Sequence, residues 1–430
     1  MSPSRFRTRR FLVLLLRRFP VLFFLIKWLL LSGLVGVLVG SASAFFLVSL
    51  DLVTAWRENH IWIIALLPLG GFLVGCIYHY YGRDVEAGNN LLLDNIHRPA
   101  EIIPLKMVPF VLFGTLVTHL FGGSAGREGT ALQMGGAIAD QFTSLFHLRQ
   151  EDRRMILIAG IAAGFGSVFG TPLAGAVFGL EVFWVGRLRY EGIFPAFASA
   201  IFADLSTRAW NAGHTHYHIP AVPGLAAEPV LWAMLAGVAF GLASALFSKL
   251  THFTGGIFKK YIAWPPLRPV VGGVLVAALV FASGTTRYIG LGIPTIVSSF
   301  SEHLPWYDFA VKIILTALTL GAGFKGGEVT PLFFVGATLG NALSWLIPLP
   351  SGLLAGIGFV AVFAGAANTP LACSLMAMEL FGAECGVYAA VACIVAYCCS
   401  GNRGIYVSQV TGSSKYPDSR RREAKRIADL

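Results

Sequence analysis

Charge is scarce in this chain. Asp, Glu, Lys and Arg together make up 13% of its 430 residues, against 56% hydrophobic residues. A soluble protein of this length could not bury that much apolar surface, so the composition excludes a soluble globular enzyme and indicates a polytopic membrane protein. Cysteine is also scarce. The six cysteines (Cys76, Cys373, Cys385, Cys393, Cys398, Cys399) lie in apolar runs without metal-ligand spacing, so they read as small hydrophobes and no metal or other cofactor is expected. Acidic residues number 22 against 32 Lys and Arg, a net charge of +10. The excess is mostly terminal, which fits membrane flanks and argues against a nucleic-acid partner.

What is abundant is apolar sequence punctuated by 49 glycines and 21 prolines. Apolar runs recur over residues 28–55, 61–82, 102–121, 155–183, 229–250, 270–283, 308–322 and 331–400. A spanning helix needs roughly 20 apolar residues. Glycine and proline are tolerated in such helices when neighbours satisfy the freed backbone groups. This pattern predicts many short, tilted or broken helices, an all-α architecture.

The chain also says nearly the same thing twice. Glu128-Gly129-Thr130 is followed by Thr171-Pro172-Leu173-Ala174 and Glu181; Glu328-Val329-Thr330 is followed by Thr369-Pro370-Leu371-Ala372 and Glu379. The offsets are 200 and 198 residues. A fixed-period duplication in a hydrophobic chain marks a transporter or channel of two structural repeats, with the binding site where they meet. The expected organisation is a basic cytoplasmic lead-in over 1–19, repeat one over 20–205, an extracellular linker over 206–228, repeat two over 229–412, and a basic cytoplasmic tail over 413–430. Lys27 interrupts the first apolar run, so that run is expected to be retained and not cleaved as a signal peptide. The linker carries His214-x-His216-x-His218, read as an incidental alternation in a loop and not as a metal site.

Four segments carry chemistry. In Gly122-Gly123-Ser124-Ala125-Gly126-Arg127-Glu128-Gly129-Thr130 a glycine-rich stretch enters a helix. The exposed N–H groups of such a helix start favour an anion. Glu128 is then a fixed acid at an anion site, a candidate gate and proton carrier. The second is Gly323-Phe324-Lys325-Gly326-Gly327-Glu328-Val329-Thr330-Pro331, where Thr330 offers a hydroxyl to an anion or caps its own helix. There Glu328 either takes part in proton transfer or pairs with Lys325 as scaffold. The third is Glu86-Ala87-Gly88-Asn89-Asn90-Leu91-Leu92-Leu93, with its two asparagines at a helix start. The fourth is Gly404-Ile405-Tyr406, whose phenol is offered to the pore or to the membrane interface. A reading from another class is an intramembrane serine hydrolase: Gly122-x-Ser124-x-Gly126 fits the nucleophile pattern formally, with His119 nearby. That motif belongs on a strand-to-helix elbow, and it leaves the duplication unexplained.

These segments, in this order and spacing, resemble the CLC family of chloride channels and anion/proton antiporters. The family's Gly-Arg-Glu-Gly-Pro stands here as Gly126-Arg127-Glu128-Gly129-Thr130, and the resemblance covers about residues 28–412. It implies two inverted repeats, a homodimer with one anion pathway per subunit, Glu128 as the external gate and Tyr406 as the central tyrosine. The departures point to one branch. The family's Gly-Ser-Gly-Ile-Pro serine is missing; aligning Glu86-Ala87-Gly88 puts Asn90 in its place, with Asn89 the alternative. Gly-x-Phe-x-Pro becomes Gly327-Glu328-Val329-Thr330-Pro331. The acid that chloride/proton antiporters carry after the first Glu of the Pro-Leu-Ala-Gly helix is Val182, following Glu181. This set looks like the fluoride-specific branch, bacterial fluoride/proton antiporters that export fluoride across the inner membrane, with chloride transport on the same fold the alternative. Fluoride is a strong hydrogen-bond acceptor, so its site should be rich in amide and hydroxyl donors. Asn90, Thr130, Thr330 and Tyr406 are the expected anion-binding residues.

Overall fold

Sixteen helices form among the described residues, which are 19–99, 101–412 and 415 in this computed structural model. The basic lead-in, except for Phe19, and the basic tail, except for Lys415, lie outside them. The first eight helices are α1 (Pro20–Asn59), α2 (Leu67–Tyr81), α3 (Asn89–His97), α4 (Met107–Leu120), α5 (Glu128–Leu145), α6 (Gln150–Phe169), α7 (Pro172–Glu181) and α8 (Ile193–Ala209). The second eight repeat the order: α9 (Ala227–Tyr261), α10 (Leu267–Ser283), α11 (Ile293–Ser298), α12 (Asp308–Gly321), α13 (Val329–Leu343), α14 (Ser351–Ala367), α15 (Pro370–Phe381) and α16 (Gly386–Cys399). The only strands described are β1 (Trp184–Val185) and β2 (Val410–Thr411), paired in parallel.

Three spans are long and apolar enough to cross a membrane alone: α1, residues 61–81 and α9. Most of the others are shorter apolar helices, as the glycine and proline content predicts. The run 155–183 is two helices because Gly170 adopts a left-handed conformation, φ 71°, at the end of α6. Asn368 does the same at the end of α14, φ 59°. Glycine and asparagine are the residues that enter this region at least cost. In both places a proline follows two residues later and starts the next helix, where its missing N–H has no partner to lose.

Glycines also bring the paired helices of each half together. A Cβ on Gly135 of α5 would lie 2.2 Å from the Gly160 carbonyl of α6, and one on Gly336 of α13 would lie 2.0 Å from the Gly358 carbonyl of α14. Small residues at such crossings replace the hydrophobic drive that lipid removes. The two halves share their polar ties as well. Asp140 accepts the Ile103 N–H ahead of α4, and Asn341 accepts the Leu304 N–H ahead of α12. Asp140 is held in turn by Arg153, with contacts of 2.7 Å.

The halves are inverted. The carboxylate of Glu181, at the C-terminus of α7, accepts N–H bonds from Leu371 and Ala372 at the start of α15, at 3.1 and 2.9 Å. Glu379, near the C-terminus of α15, accepts those of Leu173 and Ala174 at the start of α7, at 3.0 and 2.7 Å. The end of each helix therefore meets the start of the other, and the two run antiparallel.

Candidate functional site

The two glycine-rich loops meet at one point. Gly126 donates to the Gly327 carbonyl at 2.6 Å and Gly327 donates back to the Gly126 carbonyl at 2.8 Å. This antiparallel bridge joins the residues just ahead of α5 and α13. Glycine is required: a Cβ on Gly327 would lie 2.7 Å from the Gly129 nitrogen, and one on Gly126 would lie 2.9 Å from the Gly327 oxygen. The bridge also sets the register between the halves. It pairs Gly126 with Gly327, one residue out of step with the Glu-x-Thr repeat seen in sequence. Arg127, ahead of α5, is thus the counterpart of Glu328, ahead of α13, and Glu128 is the counterpart of Val329.

Glu128 is fully buried and reaches across to the other half. Its Oε2 accepts the Thr330 N–H at 3.0 Å and the Arg127 N–H at 3.1 Å. Its Oε1 accepts the Thr330 hydroxyl. A carboxylate thus occupies the donor set at the start of α13. An N–H and a hydroxyl from the start of α13, with the N–H of Arg127 ahead of α5, form the kind of donor cluster that binds a small anion.

The other expected residues divide. Tyr406 is 2% exposed, and its hydroxyl is buried with no hydrogen-bond partner. Asn89 brings its side-chain nitrogen within 3.0 Å of where a Cβ on Gly129 would stand, and its Oδ1 is buried without a partner. Asn90, the residue aligned with the family serine, turns elsewhere: its Oδ1 accepts the Ser408 N–H at 3.1 Å. The difference is one step of about 100° around a helix. Thr130 is also directed away from Glu128, its hydroxyl bonded to that of Thr115 at 2.6 Å. Glu328 is partly buried beside Val329. Lys325, weighed as its ion-pair partner, instead places its ammonium 4.0 Å from the Tyr78 ring centroid, and the ion pairs among the described residues do not join it to Glu328.

The hydrolase reading fails on geometry. The Ser124 hydroxyl bonds that of Thr316 at 2.9 Å, and the His119 nitrogens face the carbonyls of Thr115 and Ala125 at 2.9 and 3.1 Å. Nucleophile and base are not paired. In the linker, His214 lies 2.8 Å from the Ser167 carbonyl, and no cluster of three metal-ligating side chains occurs among the described residues.

The sequence reading missed Gln409. Fully buried, it donates to the carbonyls of Val182 at 2.8 Å and Ala367 at 2.7 Å, and accepts from Asn368 at 2.9 Å. It thereby fastens the segment carrying Tyr406 to the end of α7 and the end of α14. Its only sequence signal is a polar amide three residues after the tyrosine.

Two inverted helical halves whose helix starts converge on one buried centre define a membrane ion-transport protein. The family model described as voltage gated chloride channel matches residues 70–401, and the chain belongs to that family. It is a CLC-type transporter and not an enzyme. It is 57% identical to a chloride/fluoride channel protein of Pseudomonas syringae pv. tomato, over 91% of this chain and 88% of that one. It is 28% identical to an H(+)/Cl(-) exchange transporter, ClcA, of Vibrio vulnificus, over 83% and 82%. The crystal structure of a CLC-type fluoride/proton antiporter superposes with a TM-score of 0.88 at 34% identity, covering 90% of this chain and 99% of that one. A slow cyanobacterial Cl-/H+ antiporter superposes at 0.78 with 18% identity, covering 88% and 96%, a likeness of fold.

Proposed function

We propose that this protein exchanges fluoride for protons and exports fluoride across a bacterial inner membrane, with both termini cytoplasmic and the linker over 206–228 outside. The observation that carries the reading is the carboxylate of Glu128 at the start of α13, held by the N–H and hydroxyl of Thr330. An anion and that carboxylate compete for one donor set. Protonated, Glu128 no longer competes as a charge, the site passes to the anion, and proton and anion movement are linked. Glu128 is the gate and proton carrier in this scheme, Thr330 its exchange partner, and Tyr406 and Asn89 the remaining donors around the anion. Glu328, ahead of the same helix, is the second acid available for proton transfer. The likeness to a solved fluoride/proton antiporter at 34% identity supports fluoride as the cargo. So does the chemistry: amide, phenol and threonine donors replace the water a small, strongly hydrated anion must leave. The working unit is a homodimer with one pathway per subunit.

The alternative is chloride transport or a channel mode on the same fold, which the description of the 57% identical relative as a chloride/fluoride channel protein favours. Purified protein in liposomes decides between them. Fluoride efflux far faster than chloride efflux, with proton uptake that follows the fluoride gradient, is expected. Equal rates for the two anions would assign chloride, and fluoride flux without proton movement would assign a channel.

A further inference from the structure

Near the C-terminal end of α9 the surface holds a cavity of about 510 Å³, lined by Leu246, Lys249, Leu250, His252, Phe253 and Arg403. Its depth in the membrane follows from the sequence. Residues 229–248 of α9 carry no charged side chain. At 1.5 Å per residue that run is about 30 Å long, the thickness of a bilayer's hydrocarbon core. Lys249 is the first charge beyond it and so stands at headgroup level, on the cytoplasmic side in the topology proposed above. One and two turns back toward the bilayer centre, on the same face of the helix, Leu246 and Leu242 are exposed. Lys249 and Arg403 are exposed too, and neither enters an ion pair among the described residues. The described lining carries these two cations and no acid. The cavity is also joined to the ion site. His252 Nε2 meets the Gly404 carbonyl at 3.0 Å, and the Ile405 N–H donates to the Ala366 carbonyl at 2.9 Å. The chain from Arg403 to Tyr406 therefore runs from the cavity wall to the buried phenol.

We propose that this cavity binds one anionic phospholipid of the cytoplasmic leaflet, its phosphate between Lys249 and Arg403 and an acyl chain along Leu246 and Leu242. Two cations at headgroup depth beside an exposed apolar face match a phosphate that carries a hydrocarbon tail. The guanidinium fork of Arg403 suits the phosphate oxygens, and the Lys249 ammonium adds a point charge. A choline or ethanolamine headgroup carries the same phosphate, but its own cation would meet two more and no acid. The bound lipid steadies residues 403–406 and so keeps Tyr406 in place at the anion site. This effect on transport rests on the reading of Tyr406 as a donor to the anion; the binding of lipid does not.

The test uses Lys249→Gln, Arg403→Gln and the double variant in the full chain. Loaded with phosphatidylglycerol and washed in detergent, wild type should retain one such lipid per subunit by native mass spectrometry. Each single variant should bind it about fivefold more weakly. Fluoride efflux is then compared in vesicles of phosphatidylcholine alone and of phosphatidylcholine with phosphatidylglycerol. Wild type should run faster in the mixed vesicles, and the double variant should run at the slower rate in both. Equal lipid retention by wild type and double variant overturns the proposal. So does glycerol phosphate in the buffer restoring the fast rate in phosphatidylcholine vesicles, which would make the ligand a free phosphate. A double variant that becomes monomeric on size-exclusion chromatography makes the face an interface between copies and overturns it as well. Lost retention with unchanged rates keeps the lipid site and overturns its link to Tyr406. A wild type that moves no fluoride defeats the assignment of cargo alone, because lipid retention needs no transport and still decides the site.

Discussion

Glu181 and Glu379 cap each other's helices. Each carboxylate sits at the C-terminal end of one short helix and accepts two N–H bonds from the first turn of the other. Each satisfies donors that a helix start leaves unpaired, and each places negative charge at the positive end of a helix dipole. The pair explains why Thr-Pro-Leu-Ala and its following Glu occur twice: neither copy can complete its own helix.

Replacing Glu379 by leucine strands the N–H groups of Leu173 and Ala174. The Ala174 contact is half-buried and the Leu173 contact exposed, so the expected cost is about 1 kcal/mol, seen as a lower melting temperature in detergent. Glu379→Gln keeps one acceptor oxygen and should lose less. Equal melting temperatures for wild type and Glu379→Leu would remove the capping role.

Glu128→Gln keeps size and one acceptor but cannot carry a proton. Fluoride should still pass, and proton uptake driven by a fluoride gradient should disappear. A pH electrode and a fluoride electrode on the same liposomes read both. Proton movement against its gradient in this variant would reassign the carrier.

Gln409→Leu leaves the carbonyls of Val182 and Ala367 without their donor. A loss of about 1–3 kcal/mol of stability is expected. The functional readout is sharper: with Tyr406 no longer held, half-saturating fluoride should rise in the fraction that remains folded. Gln409→Glu, which offers acceptors to acceptors, should be worse than Gln409→Leu.

Gly126→Ala and Gly327→Ala should each abolish transport. The added methyl would stand 2.9 Å from the Gly327 oxygen in one case and 2.7 Å from the Gly129 nitrogen in the other. The bridge must open to admit either. Wild-type flux in either variant, with the dimer intact by size-exclusion chromatography, would show that the loops need not meet.

Much of the fold is legible in the sequence alone. Apolar runs and their glycines and prolines marked short, broken helices, but the breaks at Gly170 and Asn368 fall inside the runs 155–183 and 331–400, which the sequence reading left whole. The duplication marked the centre. What the sequence could not supply was register across long separations. Glu128 and Glu328 look equivalent in the string, yet the bridge between Gly126 and Gly327 pairs Glu328 with Arg127. The choice between Asn89 and Asn90 turns on the rotation of α3, fixed by Ser408 more than 300 residues away. Thr130 looked like an anion donor because nothing local reveals Thr115 as its partner. Gln409 had no pattern at all, since a buried amide is recognised only by the carbonyls it meets.

The bridge between the glycines has a historical consequence. Two loop segments exchanging one pair of hydrogen bonds form a contact that is unchanged when the segments are swapped, so two copies of a half-length chain could make it as well as one full-length chain does. Duplication and fusion would then have altered no contact at the centre, only tied it together. What fusion added was the freedom for the two copies to diverge, and the present chain has used it: an arginine stands on one side of the seam and a glutamate on the other.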